Sequence, residues 1–125
     1  MADQQFSWRQ SGPCAIIDMP PQIVKNVNDG EFQRLLLQLA DARQHIGVNF
    51  KNTKYIDTGT IAALLATLAR CKTTGSTISL IQPEGNVLDL LMTTNIERLF
   101  QVYGTETEFT KHYERPRAKA QERKP

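Results

Sequence analysis

The chain has 125 residues, of which 40% are hydrophobic and 22% are charged, with a net charge of +2, as expected for a single globular domain. No apolar run approaches the roughly 18 residues that a membrane-spanning helix needs, and the N-terminus (MADQQFSWRQ) lacks the basic and apolar stretches of a signal peptide. We therefore expect a cytoplasmic protein with no membrane span.

Two strands are predicted at the start of the chain. The first covers 6–10 and is an edge strand, and the second covers 14–19 (CAIIDM) and has a buried centre. A turn signal, SGP, separates them, and two prolines end the second strand because each fixes φ and removes an amide donor. Trp8 either packs on the sheet or, if exposed, marks a surface for a partner.

A helix is predicted over 31–43, where apolar residues recur at the helical period. Asn28 or Asp29 is its predicted N-cap. The residues expected to face the core are Phe32, Leu35, Leu36 and Leu39.

The most informative stretch of the chain covers 45–71. A buried strand over 45–50 leads into a turn over 51–55, and a helix is predicted from Thr58 to about Cys71. Its inward residues lie at positions i, i+3, i+4 and i+7 and are Ile61, Leu64, Leu65 and Leu68. Asp57 and Thr58 are both favourable N-cap residues, so the local sequence by itself indicates only the start of a helix.

Strands and helices continue to alternate in the second half of the chain. After a TTG break, the predicted elements are a buried strand over 77–81, a short helix over 83–92, a turn of helix over 96–100, a last strand over 101–103 and a terminal helix over 106–113. Val87, Leu88, Leu91 and Met92 are expected to face inward. The alternation predicts a single α/β domain with a central mixed sheet of four to five strands and about four helices.

The net charge conceals an uneven distribution of charged residues. Residues 115–125 hold five of the 15 Lys and Arg residues but one of the 13 Asp and Glu residues. We predict a folded domain over 1–114 and a basic, disordered tail over 115–125. Five positive charges with no aromatic residue among them favour a solubilising tail over an arm for nucleic acid, so direct nucleic-acid binding is not expected.

Several kinds of catalytic or metal site have no support in the sequence. Cys14 and Cys71 belong to no CxxC or Cys/His cluster, so reduced, buried thiols are predicted and no metal site. No cofactor is predicted, because the chain has no GxxxxGK[ST] loop and no GxGxxG motif. His45 and His112 are not placed with a nucleophile or a carboxylate pair, so a catalytic role is not predicted for either residue.

The stretch IDTGTIAALL, which follows a VNF strand, resembles the signature of STAS domains of the anti-sigma-factor antagonist type. That pattern is a buried strand, an aliphatic residue, and then Asp-Ser-Ser-Gly-Leu with small and aliphatic residues. Asp57 matches the aspartate and Thr58 matches the regulatory hydroxyl residue. The stretch GNVLDLLMTTNIERLFQVYGTETE is similar to the closing part of the family pattern, so the resemblance covers about 15–113.

Two positions depart from the family pattern. Gly59 stands where the family often has a second hydroxyl residue, and Thr60 stands where it usually has glycine. A β-branched Thr60 is expected to make the first helical turn bulkier and to alter the approach of a partner's backbone.

The resemblance implies a protein-binding switch that is not an enzyme. In the family, the unphosphorylated domain binds an anti-sigma factor that is also a serine/threonine kinase. That kinase phosphorylates the hydroxyl at the position of Thr58, and a PP2C-type phosphatase reverses the reaction. For this chain the resemblance implies partner binding through Asp57, Thr58, Gly59 and Thr60, and a monomer or weak dimer.

Two other functions stay open. Some single-domain STAS proteins are non-switching subunits of stress-signalling or lipid-transport complexes, in which the hydroxyl undergoes no phosphorylation cycle. A small enzyme on the same scaffold is the third alternative, although no catalytic constellation supports it. A deep pocket beside Thr58 would favour an enzyme, whereas a flat or convex surface there would favour a protein partner.

Overall fold

The computed structural model of the protein describes residues 7–21 and 25–113. These residues contain a five-stranded mixed sheet with the strand order β1-β2-β3-β4-β5. The strands are β1 (Ser7–Ser11), β2 (Cys14–Asp18), β3 (His45–Asn49), β4 (Thr77–Ile81) and β5 (Gln101–Tyr103). β1 is antiparallel to β2, and every other neighbouring pair is parallel. The predicted α/β fold is confirmed, whereas the predicted tail over 115–125 lies outside the described residues.

The described residues form four α-helices. They are α1 (Lys25–Asp41), α2 (Thr58–Thr74), α3 (Gly85–Thr93) and α4 (106–113), with a 3₁₀ turn (Ile96–Leu99) between α3 and β5. α1, α2 and α3 each connect two parallel strands, because parallel neighbours need a crossover connection. Within the described ranges, none of the helices has the length and apolar character needed to cross a membrane.

The sheet is covered on both faces. Successive side chains of a strand point to opposite faces, and this alternation divides the core into two clusters. On one face, α1, α2 and α3 pack on the strand residues Ala15, Ile17, Ile46, Val48, Ile78 and Leu80. On the other face, Phe109 of α4 packs with Cys14, Ile16 and Ile81. Cys14 and Cys71 are both buried, as predicted, and no disulfide joins them.

Gly47 makes room for α4 at the centre of the sheet. A Cβ atom added at Gly47 would lie 2.6 Å from Cε2 of Phe109 and 2.8 Å from Cδ1 of Ile81. Both distances are well below the van der Waals separation of two carbon atoms. Phe109 is completely buried, so the close contact of its ring with β3 requires a residue without a side chain at position 47.

A cluster of charged side chains fixes the start of α4 to the edge of the sheet. The Arg9 guanidinium lies 2.8 Å from Oδ2 of Asp18 and 2.8 Å from Oε1 of Glu106. Asn49 donates a further hydrogen bond of 2.9 Å to Oδ1 of Asp18. The hydrogen bonds from Arg9 hold the pKa values of both carboxyl groups below their usual range.

Two predictions about the helices are wrong. α1 already includes Lys25, so Asn28 and Asp29 lie inside the helix and are not its N-cap. Helix propensity is a weak preference of at most about 1 kcal/mol for such residues, so asparagine, aspartate and glycine are found inside helices. Met92 is 53% exposed, because consecutive helical residues are about 100° apart and Met92 lies to one side of the buried stripe.

The other predicted core positions agree with the structure, and one open question is answered. Leu88 is half-buried, and the fully buried residues of α3 are Val87 and Leu91. Trp8, for which the sequence left two environments open, is 44% exposed on the edge strand β1.

We predict that Gly47→Ala lowers the free energy of unfolding by about 1–3 kcal/mol, because the added methyl group overpacks the contact between β3 and Phe109. Gly30→Ala is the matched control. The space around its added Cβ is empty within 4 Å, and alanine in a helix is favoured over glycine by roughly 0.5–1 kcal/mol. Urea unfolding monitored by circular dichroism measures both changes. A Gly47→Ala variant with the same free energy of unfolding as wild type would contradict the close packing of α4 on β3.

The Arg9 cluster predicts a pH-dependent contribution to stability. Both carboxyl groups have folded-state pKa values below their ordinary values of 3.8 and 4.5. The two carboxylates therefore contribute fully to stability at a pH above their ordinary pKa values. This contribution is lost as the pH falls through their lower folded-state pKa values. Wild type should be more stable than Arg9→Gln near neutral pH, and this difference should shrink below about pH 4.5.

Thermal unfolding of both proteins across this pH range checks the prediction. Arg34→Gln, which removes a positive charge from the exposed side of α1, controls for the change in net charge. A stability difference for Arg9→Gln that stays constant down to about pH 3 would rule out the proposed coupling.

Candidate functional site

The loop between β3 and α2 is fixed to the body of the domain. Phe50 is buried and its amide donates to the carbonyl oxygen of Ile81 at 2.9 Å. The hydroxyl of Thr53 donates to the carbonyl oxygen of Pro20 at 2.9 Å, and the amide of Lys54 donates to that of Pro21 at 2.8 Å. These bonds tie the loop to the prolines that follow β2. The start of α2 is therefore held at the carboxyl edge of the parallel strands.

Asp57 is the N-cap of α2. Its backbone is extended, with φ −115° and ψ 180°, and its Oδ1 accepts a hydrogen bond of 2.9 Å from the amide of Thr60. A carboxylate at this position satisfies an amide that has no partner within the helix, and it interacts favourably with the helix dipole. The local interpretation of the sequence as a helix start is confirmed.

Thr60 lies inside the first turn of α2. Its side chain is only 1% exposed, and its hydroxyl donates to the same Oδ1 of Asp57 at 3.0 Å. Thr60 therefore points into the protein, and the expected effect of its bulk on the approach of a partner stays a prediction. Local spacing carried a signal for the amide bond, since Thr60 is the N3 residue and an N-cap side chain accepts from the N2 or N3 amide.

Thr58 and Gly59 form the outer part of the same turn. Thr58 is exposed and Gly59 is half-buried. The structure therefore brings the four predicted site residues into one turn but separates their roles. Thr58 presents a hydroxyl to solvent, whereas Asp57 and Thr60 hold the turn from inside.

One oxygen of the cap lacks a donor. Oδ2 of Asp57 is buried and has no hydrogen-bond partner among the described residues. A buried acceptor without a donor costs about 1–3 kcal/mol. The two hydrogen bonds to Oδ1 offset part of this cost, so the position of Asp57 depends strongly on Thr60.

An open groove lies beside the loop that precedes Asp57. Its volume is about 460 Å³, and it is lined by Lys51, Asn52, Thr53, Lys54, Tyr55, Glu84, Gly85 and Asn86. Neither Asp57 nor Thr58 lines this groove, so the groove does not supply a cavity for chemistry at the Thr58 hydroxyl. Among the described residues, no cluster of His, Cys, Asp and Glu could hold a metal ion.

Comparison with known proteins identifies the family. The model of the STAS domain matches residues 9–109, which is most of the chain. The chain belongs to the STAS domain family. Among curated proteins, none matches this sequence closely enough to count as a relative.

Solved STAS structures have the same fold. A protein from Thermotoga maritima described as a candidate anti-sigma factor antagonist is 19% identical, with a TM-score of 0.73 over 86% of this chain and 92% of that one. The anti-sigma factor antagonist SpoIIAA in its unphosphorylated form is 12% identical, with a TM-score of 0.75 over 86% of this chain and 95% of that one. The Bacillus cell fate determinant SpoIIAA in its phosphorylated form is 11% identical, with a TM-score of 0.70 over 86% and 98%. At these identities the likeness establishes the shared STAS fold.

The separation of roles within the turn predicts unequal effects on stability. Asp57→Ala removes both hydrogen bonds to Oδ1 and should lower the free energy of unfolding by about 1–2 kcal/mol. Thr58→Ala changes an exposed side chain, so its free energy of unfolding should stay within about 0.5 kcal/mol of the wild-type value. Urea unfolding of the two variants measures both changes. An equal loss of unfolding free energy in the two variants would contradict the assignment of Asp57 as the cap.

Proposed function

We propose that the protein is an anti-sigma-factor antagonist that binds an anti-sigma serine/threonine kinase and is inactivated by phosphorylation at Thr58. The observation that carries this proposal is the exposed hydroxyl of Thr58 in the first turn of α2, next to the capping carboxylate of Asp57. Membership of the STAS family and the likeness to SpoIIAA, a protein with a solved phosphorylated form, support it.

Phosphate on Thr58 would change the surface of the domain more than its interior. The group carries a charge of about −1.5 to −2, and the positive end of the α2 dipole stabilises a negative charge at this position. Because Thr58 is exposed, the phosphate needs no rearrangement of the core. Its main effect is to repel an acidic partner surface and to prevent close packing on the turn.

The proposed partner surface centres on the first turn and the outer side of α2. Thr58 and Gly59 give it direct contacts, and Asp57 and Thr60 shape it from within. Ala62 and Ala69 are exposed farther along the helix, and their small side chains let a partner's backbone approach closely. In this proposal the domain is a binding module and not an enzyme, so the chemistry of phosphoryl transfer belongs to the kinase.

The remaining parts of the proposal follow from the same function. A PP2C-type phosphatase removes the phosphate and restores binding, and the released sigma factor changes transcription. The protein acts in the cytoplasm as a monomer or weak dimer, without direct contact with nucleic acid. A constitutive STAS subunit of a stress-signalling or lipid-transport complex is the alternative that the test below distinguishes.

Intact-mass spectrometry of the protein purified from its native cells should reveal an addition of about 80 Da, the mass of a phosphoryl group. Fragmentation should place this group on Thr58, and Thr58→Ala should abolish it. The cells are grown under several growth and stress conditions, because the kinase and the phosphatase together set the fraction of Thr58 that carries phosphate. Thr58 without phosphate under every condition would overturn the switch and favour the constitutive subunit.

A further inference from the structure

The first turn of α2 holds the Asp57 carboxylate through a single residue. Both the amide and the hydroxyl of Thr60 donate to Oδ1 of Asp57, at 2.9 Å and 3.0 Å. The amide bond is available to any residue at this position, whereas the hydroxyl bond requires serine or threonine. Thr60 is 1% exposed, so the hydroxyl bond is shielded from competing water.

The second oxygen of Asp57 adds nothing to this arrangement. Oδ2 is buried without a hydrogen-bond donor among the described residues, so the hydrogen bonds that orient the carboxylate are those to Oδ1. The side-chain position of Asp57 therefore depends on the two bonds from Thr60. Without the hydroxyl bond, the amide of Thr60 would be the one remaining donor to the carboxylate among the described residues. The carboxylate would then rotate more readily toward the outer surface, where Thr58 lies.

We propose that Thr60 is a positioning residue for the phosphorylation of Thr58, an inference that rests on the proposed function. Its hydroxyl keeps the negative charge of Asp57 inside the turn and keeps the turn ordered. The Thr58 hydroxyl is thus presented in one orientation, without a carboxylate turned toward the incoming phosphoryl group. Transfer of a phosphoryl group depends mainly on positioning and electrostatics, so both effects act on its rate.

The test compares three proteins produced in the native cells: wild type, Thr60→Val and Thr60→Ser. The measured quantity is the fraction of Thr58 that carries phosphate, determined by mass spectrometry. Thr60→Val removes the hydroxyl while nearly keeping the shape of the side chain, and it should lower this fraction by about tenfold or more. Thr60→Ser keeps the hydroxyl and should keep most of the phosphorylation.

Thr67→Val is the matched control in the same helix. Thr67 is completely buried, and its hydroxyl donates to the carbonyl oxygen of Ala63 at 2.8 Å. Its substitution therefore removes a buried threonine hydroxyl bond without touching the first turn. Thr67→Val should have the phosphorylation level of wild type. Thermal unfolding confirms that each variant is folded, and Thr60→Ala replaces Thr60→Val if the valine variant does not fold.

A second measurement follows Asp57 itself. Side-chain coupling constants from NMR should report a single χ1 rotamer of Asp57 in wild type and Thr60→Ser, and an average over rotamers in Thr60→Val. A loss of stability elsewhere in the fold would not produce this change.

The outcomes separate the inference from the proposed function. A phosphorylated wild type with equal phosphorylation of Thr60→Val would overturn the inference and leave the proposed function intact. An unchanged Asp57 rotamer in Thr60→Val would also overturn the inference. A wild type that is never phosphorylated would overturn the proposed function and, with it, the inference.

Discussion

Burial of β3 on both faces is the constraint on which the rest of this structure depends. Ile46 and Val48 point toward α1 and α2, while Gly47 faces Phe109 of α4. Because each face of the strand needs a cover, the chain must build helices on both sides of the sheet. The parallel pairing of β3 with both neighbours then brings the carboxyl ends of three strands to the same edge, and the loop that ends in Asp57 starts from that edge.

The candidate site is rigid because the segments on both sides of it are fixed to the sheet. Phe50 and Thr53 anchor the loop after β3, and α2 then packs its apolar stripe on the sheet. The backbone of Thr58 has little freedom to move, because it lies in the first turn of a helix that is fixed at both its start and its body. A turn that is already ordered suits recognition by a partner, because binding then carries no free-energy cost for ordering the backbone of the turn. The turn is therefore a fixed surface feature of the domain, and in the function that we propose a phosphate changes its charge.

The arrangement also explains why the modification that we propose at Thr58 would leave the stability of the fold nearly unchanged. Asp57 and Thr60 carry the structural role through hydrogen bonds inside the turn, whereas Thr58 makes none of the contacts on which the cap depends. A phosphate on the outer residue would meet the favourable end of the helix dipole and leave the inner contacts in place. In the function that we propose, regulation thus acts on the partner interface alone.

The sequence by itself determined the order of elements, the sheet composition and the position of the candidate turn. Alternating apolar strands and 3.6-residue stripes are local patterns, and the Asp57-Thr58 pair marks a helix start through local chemistry. Only the tertiary structure decided that Thr60 points inward, that Met92 stays exposed and that α1 extends past its expected caps. These features depend on which neighbours a side chain meets. The contacts of Phe109 with Gly47 and of Arg9 with Glu106 join residues far apart in the chain, and no local pattern encodes such contacts.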